Sequence, residues 1–127
     1  MSQPAPYADL ASALSAFFPA ERLIADPLRL LAYGTDASFY RLIPKLVVFV
    51  ESEAEVQQLM AACAARQLPL TVRAAGTSLS GQAVTDSVLA VLGDGWGRVE
   101  ILDGGGRVRL GPGVVGADAN AKLAPLG

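Results

Sequence analysis

Between Leu46 and Arg73 the chain carries a short apolar run, a capped amphipathic segment and a second short β-branched run, and few folds accept those patterns in that order. Leu46-Val47-Val48-Phe49-Val50 shows no polar alternation, the pattern of a strand buried on both faces. Ser52 follows, with Glu55 three residues on, a capping-box pair that starts a helix. Val56, Leu59, Met60 and Cys63 then recur at i, i+3, i+4 and i+7, so the spacing predicts an amphipathic helix over 53–67. Leu70-Thr71-Val72-Arg73 comes next as a second strand. Strand, helix and strand make a βαβ unit, expected to have parallel strands and a right-handed crossover.

Around this unit the elements are shorter. Leu10, Leu14, Phe17 and Phe18 have near-helical spacing over residues 7–18, and Pro19 stops the run. From Glu21 to Tyr33 the apolar residues Leu23, Ile24, Leu28, Leu30 and Leu31 surround Asp26-Pro27, a helix start with proline in the first turn, and Gly34 closes the segment. A loop over 74–87 precedes the apolar run Val88 to Leu92. Gly93, Gly95 and Gly97 interrupt the chain there. Val99 to Leu102 and Val108 to Leu110 flank Asp103-Gly104-Gly105-Gly106 as a hairpin, Pro112-Gly113 ends it, and residues 116–124 read as a short helix. The fold class expected is α+β: an α/β lobe over residues 1–92 and the beginning of an antiparallel lobe over 93–127.

Composition narrows the function. Ten basic and twelve acidic residues give a net charge of -2 with no Lys/Arg cluster, which argues against nucleic acid or an anionic membrane surface as partner. No run approaches the ~18 apolar residues of a membrane span, and no signal peptide is read. Cys63, the single cysteine, cannot form an internal disulfide, so a reducing cytoplasm is the expected location. The chain has no histidine, which removes the commonest general base and metal ligand; neither a catalytic set nor a metal site is read in it. With 127 residues, 52% of them hydrophobic and 17% charged, some apolar surface is expected to meet a partner, such as the remainder of the same polypeptide or a second copy.

The segment with chemical content is Arg73-Ala74-Ala75-Gly76-Thr77-Ser78-Leu79-Ser80-Gly81-Gln82-Ala83, which leaves the carboxyl end of a strand, where ligands of open α/β sheets collect. Small residues at 74, 75, 76 and 81 allow close main-chain approach, Thr77, Ser78 and Ser80 add hydroxyls, and successive amides in such a turn can hold a diphosphate without a basic side chain. A Walker-type loop is excluded because no lysine lies between Lys45 and Lys122. The glycine pattern of a Rossmann fingerprint is incomplete. Arg73 itself has three readings: phosphate contact, strand-end cap, or partner of a carboxylate.

Taken in order, Tyr33-Gly34-Thr35-Asp36-Ala37-Ser38, the βαβ unit, Arg73 to Gln82 and Gly111-Pro112-Gly113-Val114 resemble the vanillyl-alcohol-oxidase-type FAD-linked oxidases, in the branch of D-lactate dehydrogenase and glycolate oxidase subunits, over residues 30–125. The resemblance implies a two-lobed FAD-binding domain with the flavin between the lobes. It implies that the main chain of Ala74, Ala75, Gly76, Thr77 and Ser78 contacts the FAD diphosphate, flanked by Arg73, Gly81 and Gln82. It also implies a parent enzyme that passes hydride from a small 2-hydroxy acid to the flavin. Members that attach FAD covalently use a histidine, commonly at the position of Thr77, so FAD is expected to be non-covalent here. Ala74 and Ala75 replace the usual glycines and are compatible only with φ below zero; Val50 replaces a common proline, and Leu92 to Arg98 departs from the usual segment. The 127 residues alone are expected to bind FAD weakly or not at all and to be inactive.

Bland readings stand beside these. The loop taken alone is an ordinary small-residue connection; Asp36 and Tyr33 are turn and packing residues; Cys63 is a core residue. Trp96 is either a mobile surface aromatic or a plug at the seam with the second lobe. The alternative from another class is an α/β interaction module without flavin.

Overall fold

The structure is a computed structural model and describes residues 4–127. The secondary structure comprises α1 (Ala5–Leu14), β1 (Leu23–Ile24), α2 (Pro27–Leu31), β2 (Leu46–Val50), α3 (Glu53–Ala64), β3 (Leu70–Arg73), β4 (Val88–Leu92), β5 (Val99–Leu102), β6 (Arg107–Leu110) and α4 (Gly116–Leu123). One four-stranded sheet has the order β1-β2-β4-β3, and β5 and β6 form an antiparallel pair of their own. The fold is the mixed α and β arrangement expected.

The run Leu46 to Val50 is a doubly covered strand, and its two faces lead to two cores. Leu46, Val48 and Val50 join Val88 and Ala90 of β4, Leu10, Leu14 and Phe18 from the α1 segment, and Leu59 and Cys63 from α3. Val47 faces the other way with Leu89, Val91, Ile24 and Leu30, against Tyr33, Ile43 and Phe49. With no polar position available for solvent, this strand can sit only inside a sheet covered on both sides.

The strands of the βαβ unit are parallel as expected, with a third strand between them. β2 and β3 run parallel to each other but are not neighbours, because β4 is inserted between them and pairs in parallel with both, Leu46 with Val88 on one side and Leu70 with Val88 on the other. The apolar content decides the order: four of the five β4 residues are buried, whereas β3 has Val72 exposed and takes an edge. The other edge is β1, antiparallel to β2 through Leu23 with Val48 and Ile24 with Val47, inside a segment whose only clear signal was helical.

Helix boundaries also shift. The first helix ends at Leu14 rather than running to 18, with Phe18 buried and Phe17 left exposed. α2 starts as read, with the Asp26 carboxylate accepting the Arg29 N–H at 2.9 Å and proline at the first position. α3 stops at Ala64, short of 67, because Gln67 turns left-handed (φ 54°) and the Cys63 carbonyl accepts both Arg66 and Leu68 N–H. Met60, assigned by spacing to the apolar stripe, faces solvent, while Cys63 is buried and burial pushes its thiol pKa up.

The start of α3 is a junction. Ser52 Oγ accepts the Glu55 N–H at 3.3 Å, but the Glu55 carboxylate reaches past the cap residue to the Glu51 N–H at 2.7 Å. The same carboxylate receives two hydrogen bonds from Arg22, at 2.8 and 3.0 Å, and the Arg22 guanidinium lies 5.6 Å from the centre of the Phe18 ring. The Arg22 hydrogen bonds, helped by the Glu51 N–H, hold the Glu55 carboxyl below its ordinary value of 4.5. A carboxyl with a depressed folded pKa contributes stability that is fully present above the unfolded value and is lost as pH falls through the folded one. Glu55→Gln should therefore cost about 1–2 kcal/mol near neutrality. It should also flatten the decline in melting temperature below about pH 4.5, measured by circular dichroism across a pH series.

Candidate functional site

The carboxyl ends of β3 and β4 open onto a cleft of about 270 Å3 lined by Ala74, Ala75, Leu92, Gly93, Asp94, Gly97 and Gly113. One wall is the loop after β3, and the other belongs to the segment that leads into and out of the β5–β6 hairpin. Both walls are built almost entirely of small residues.

The loop is held from below by Arg73. Its Nη1 donates to the carbonyl oxygens of Thr35 at 3.1 Å, Tyr33 at 3.4 Å and Ala83 at 3.5 Å, and the guanidinium lies 6.0 Å from the Tyr33 ring centre. Through Nη1, Arg73 caps the strand end with main-chain carbonyls as its acceptors. Gly76 turns back over it at φ 69°, so close that a Cβ there would strike the guanidinium.

Asp36 closes the same ring of contacts. Its Oδ2 accepts the Ala83 N–H at 3.3 Å, while Oδ1 accepts the Ser38 N–H at 2.8 Å and the Ser38 hydroxyl. The Ser38 hydroxyl, the two N–H groups and the Arg73 charge lower the Asp36 carboxyl below its usual range. Tyr33 to Ser38 is therefore the brace of the loop. Tyr40, which no sequence pattern singled out, lies against Gly81: a Cβ at this φ 75° position would come within 2.6 Å of its ring.

Ser78 organises the far end. Its hydroxyl accepts the Ser80 and Gln82 N–H groups, both at 3.2 Å, and donates to the Gln82 Oε1 at 3.3 Å. Ala74 and Ala75 keep φ below zero, as their methyl groups require, and the positive φ angles fall on Gly76 and Gly81. Among the described residues, the main-chain N–H groups of 74 to 79 donate to no protein acceptor. Thr77 and Leu79 stand exposed at the loop's outer face.

The opposite wall depends on Trp96, whose side chain is part-buried and hydrogen-bonded. Its Nε1–H donates to the Val50 carbonyl at 2.9 Å, an oxygen that also accepts the Gly93 N–H at 2.9 Å. The Trp96 carbonyl accepts the Gly113 N–H at 3.1 Å, and Gly111 crosses it so closely that a Cβ would collide. That close approach accounts for glycine at 111, while a Cβ at Gly113 would be a tight contact 3.1 Å from the Trp96 Cβ. No group of His, Cys, Asp or Glu among the described residues has the arrangement of a metal site. No helix among them is long and apolar enough to cross a membrane.

A loop of small residues and unpaired amides at the carboxyl edge of a parallel sheet, facing a second glycine-lined wall, defines a dinucleotide-binding type of α/β protein. The family described as FAD binding domain matches residues 44–127, and the chain belongs to that family. Its cofactor is FAD, as the vanillyl-alcohol-oxidase-type resemblance implied. D-2-hydroxyglutarate dehydrogenase of Escherichia coli (strain K12) is 36% identical over 102 residues, covering 76% of this chain and 10% of that protein. Among solved structures, an alkyldihydroxyacetonephosphate synthase shares the fold of the whole chain (TM-score 0.77, 17% identity, 27% of its length). So does 6-hydroxy-D-nicotine oxidase of Arthrobacter nicotinovorans over 83% of this chain and 24% of its own (TM-score 0.69, 22% identity). The chain thus spans about a tenth of the length of the curated relatives it matches.

The Arg73 and Gly76 geometry is directly testable. Gly76→Ala adds a methyl group at positive φ and against the guanidinium, and should destabilise the fold by about 1–3 kcal/mol in urea unfolding. Arg73→Ala should speed amide exchange at Ser80, Gln82 and Ala83, whose N–H groups are hydrogen-bonded, while β2 and β4 stay protected.

Proposed function

We propose that this chain forms the diphosphate-binding side of the FAD site in an FAD-dependent oxidoreductase that oxidises a small 2-hydroxy acid by hydride transfer to the flavin. The observation that carries the reading is the run of unpaired N–H groups at Ala74, Ala75, Gly76, Thr77 and Ser78, on the wall of a cleft at the carboxyl edge of β3 and β4. Anionic oxygens satisfy such donors better than any neutral group does. The residues fit the cofactor: the donors are there, the side chains are small enough for close approach, and the opposite wall is glycine-rich.

In this reading the chain's own residues bind and shape. Arg73 and Asp36 hold the loop open through main-chain contacts, Gly76 and Gly81 supply its two left-handed turns, and Ser78 with Gln82 fixes the exit. FAD, when bound, supplies the hydride acceptor. No residue of the chain is assigned to proton or hydride transfer, and the division of labour follows two lobes, residues 1–92 and 93–127.

The substrate class rests on the D-2-hydroxyglutarate dehydrogenase relatives and on the resemblance to the D-lactate dehydrogenase and glycolate oxidase subunit branch, which have a 2-hydroxy acid in common. The remainder of the polypeptide would supply the substrate site, and its docking would cover the apolar side chains left exposed here. FAD is held without a covalent bond, since Thr77 offers no nucleophilic imidazole.

Two outcomes test the proposal. The full-length protein should show a flavin absorbance spectrum that bleaches on anaerobic addition of a D-2-hydroxy acid; a colourless protein, or a flavin that no hydroxy acid reduces, would sink it. Acid precipitation should leave the yellow colour in the supernatant, and flavin retained in the pellet would overturn the non-covalent assignment.

A further inference from the structure

The two walls of the cleft belong to different sheets, and the contacts that hold one against the other converge on Val50 and Glu51 at the end of β2. The Val50 carbonyl accepts the Gly93 N–H and the Trp96 Nε1–H, both at 2.9 Å. The Glu51 carboxylate accepts the Gly95 N–H at 2.6 Å. The backbone of Glu51 is in turn anchored by its own N–H to the Glu55 carboxylate, and Ser52 caps α3.

Sterics require the same closeness. A Cβ at Gly95 would collide with the Glu51 carbonyl, so glycine there lets this chain segment lie on the end of β2, and one at Gly93 would displace the Glu51 carboxylate from the Gly95 N–H. Trp96 passes the constraint on, because its carbonyl accepts the Gly113 N–H and packs under Gly111. Gly93, Asp94, Gly97 and Gly113 of the cleft wall are therefore positioned from Glu51 and Trp96, neither of which lines the cleft.

We propose that Glu51 and Trp96 are positioning residues for FAD: together they dock the Gly93 to Gly97 segment on the end of β2 and so set the width of the cleft between the two sheets. The inference rests on the FAD reading of the site. Its physical basis is preorganisation: a wall held in place before binding does not have to be ordered by the ligand.

The test compares Glu51→Ala, Glu51→Gln and Trp96→Phe in the full-length protein, with Leu59→Ala as a control that weakens the core away from the cleft. Trp96→Phe keeps the aromatic bulk and removes only the N–H donor; Glu51→Gln keeps an oxygen acceptor for the Gly95 N–H. FAD dissociation constants are measured by titration calorimetry at a temperature where every variant is folded. Amide exchange of the peptide spanning residues 93–97 is recorded as well without FAD, since its Gly93 and Gly95 N–H groups are bonded to the end of β2 and report the docking.

Glu51→Ala and Trp96→Phe should each weaken FAD binding about tenfold or more, while Glu51→Gln and Leu59→Ala stay within about threefold of wild type. Amide exchange over residues 93–97 should speed up in Glu51→Ala but not in Glu51→Gln. Wild-type affinity in both weakening variants overturns the inference and leaves the FAD reading standing, and so does an equal loss in Leu59→Ala, which would mark a general stability effect. If wild type binds no FAD, the reading beneath the inference falls and takes it along. Should Glu51→Ala fail to fold, Trp96→Phe decides alone.

Discussion

Everything in this structure is hung on two adjacent strands that have no solvent face. β2 and β4 are paired in parallel from Leu46 with Val88 to Val50 with Leu92, and both sides of the pair are covered by apolar side chains. Their burial places α1 and α3 on one face and α2 with Ile24, Tyr33 and Ile43 on the other. It also aligns the carboxyl ends of β3 and β4 at one edge of the sheet, which is where a ligand can approach main-chain groups that the ladder leaves free. The cleft is a consequence of that alignment.

At this edge the chain uses main chain wherever a charged side chain might have been expected. Arg73 is turned toward carbonyl oxygens of its own protein, Asp36 toward N–H groups of Ser38 and Ala83, and Glu51 toward the Gly95 N–H. Each charge is spent on fixing a loop, and what the loops then present to the cleft is uncharged backbone and small side chains. This arrangement explains how an acidic chain without a basic cluster belongs to a family that binds an anionic dinucleotide.

Much of the architecture was legible in local patterns. The unbroken run of 46–50, the Ser52 and Glu55 pair and the Asp26-Pro27 start all read correctly because each depends on residues close in sequence. The loop 73–82 was legible as a small-residue connection at a strand's carboxyl end, with glycine at the two positions where its left-handed turns fall. The misses have different causes. Spacing placed Met60 inside although it faces solvent, and it ended α3 late where the nearby left-handed Gln67 stops it; Leu23-Ile24 went unread as a strand because its partner, β2, lies more than twenty residues away.

The sequence by itself determined which segments must be buried, where the helices begin and which loop lies at a strand's carboxyl end. These follow from apolar periodicity, capping chemistry and glycine content, all short-range properties. Only the tertiary structure decided that β4 enters between β2 and β3, that Arg73 faces Thr35 and Tyr33, and that Trp96 and Glu51 tie the second sheet to the first. Those contacts join residues tens of positions apart, and strand order is chosen by total burial rather than by any local pattern.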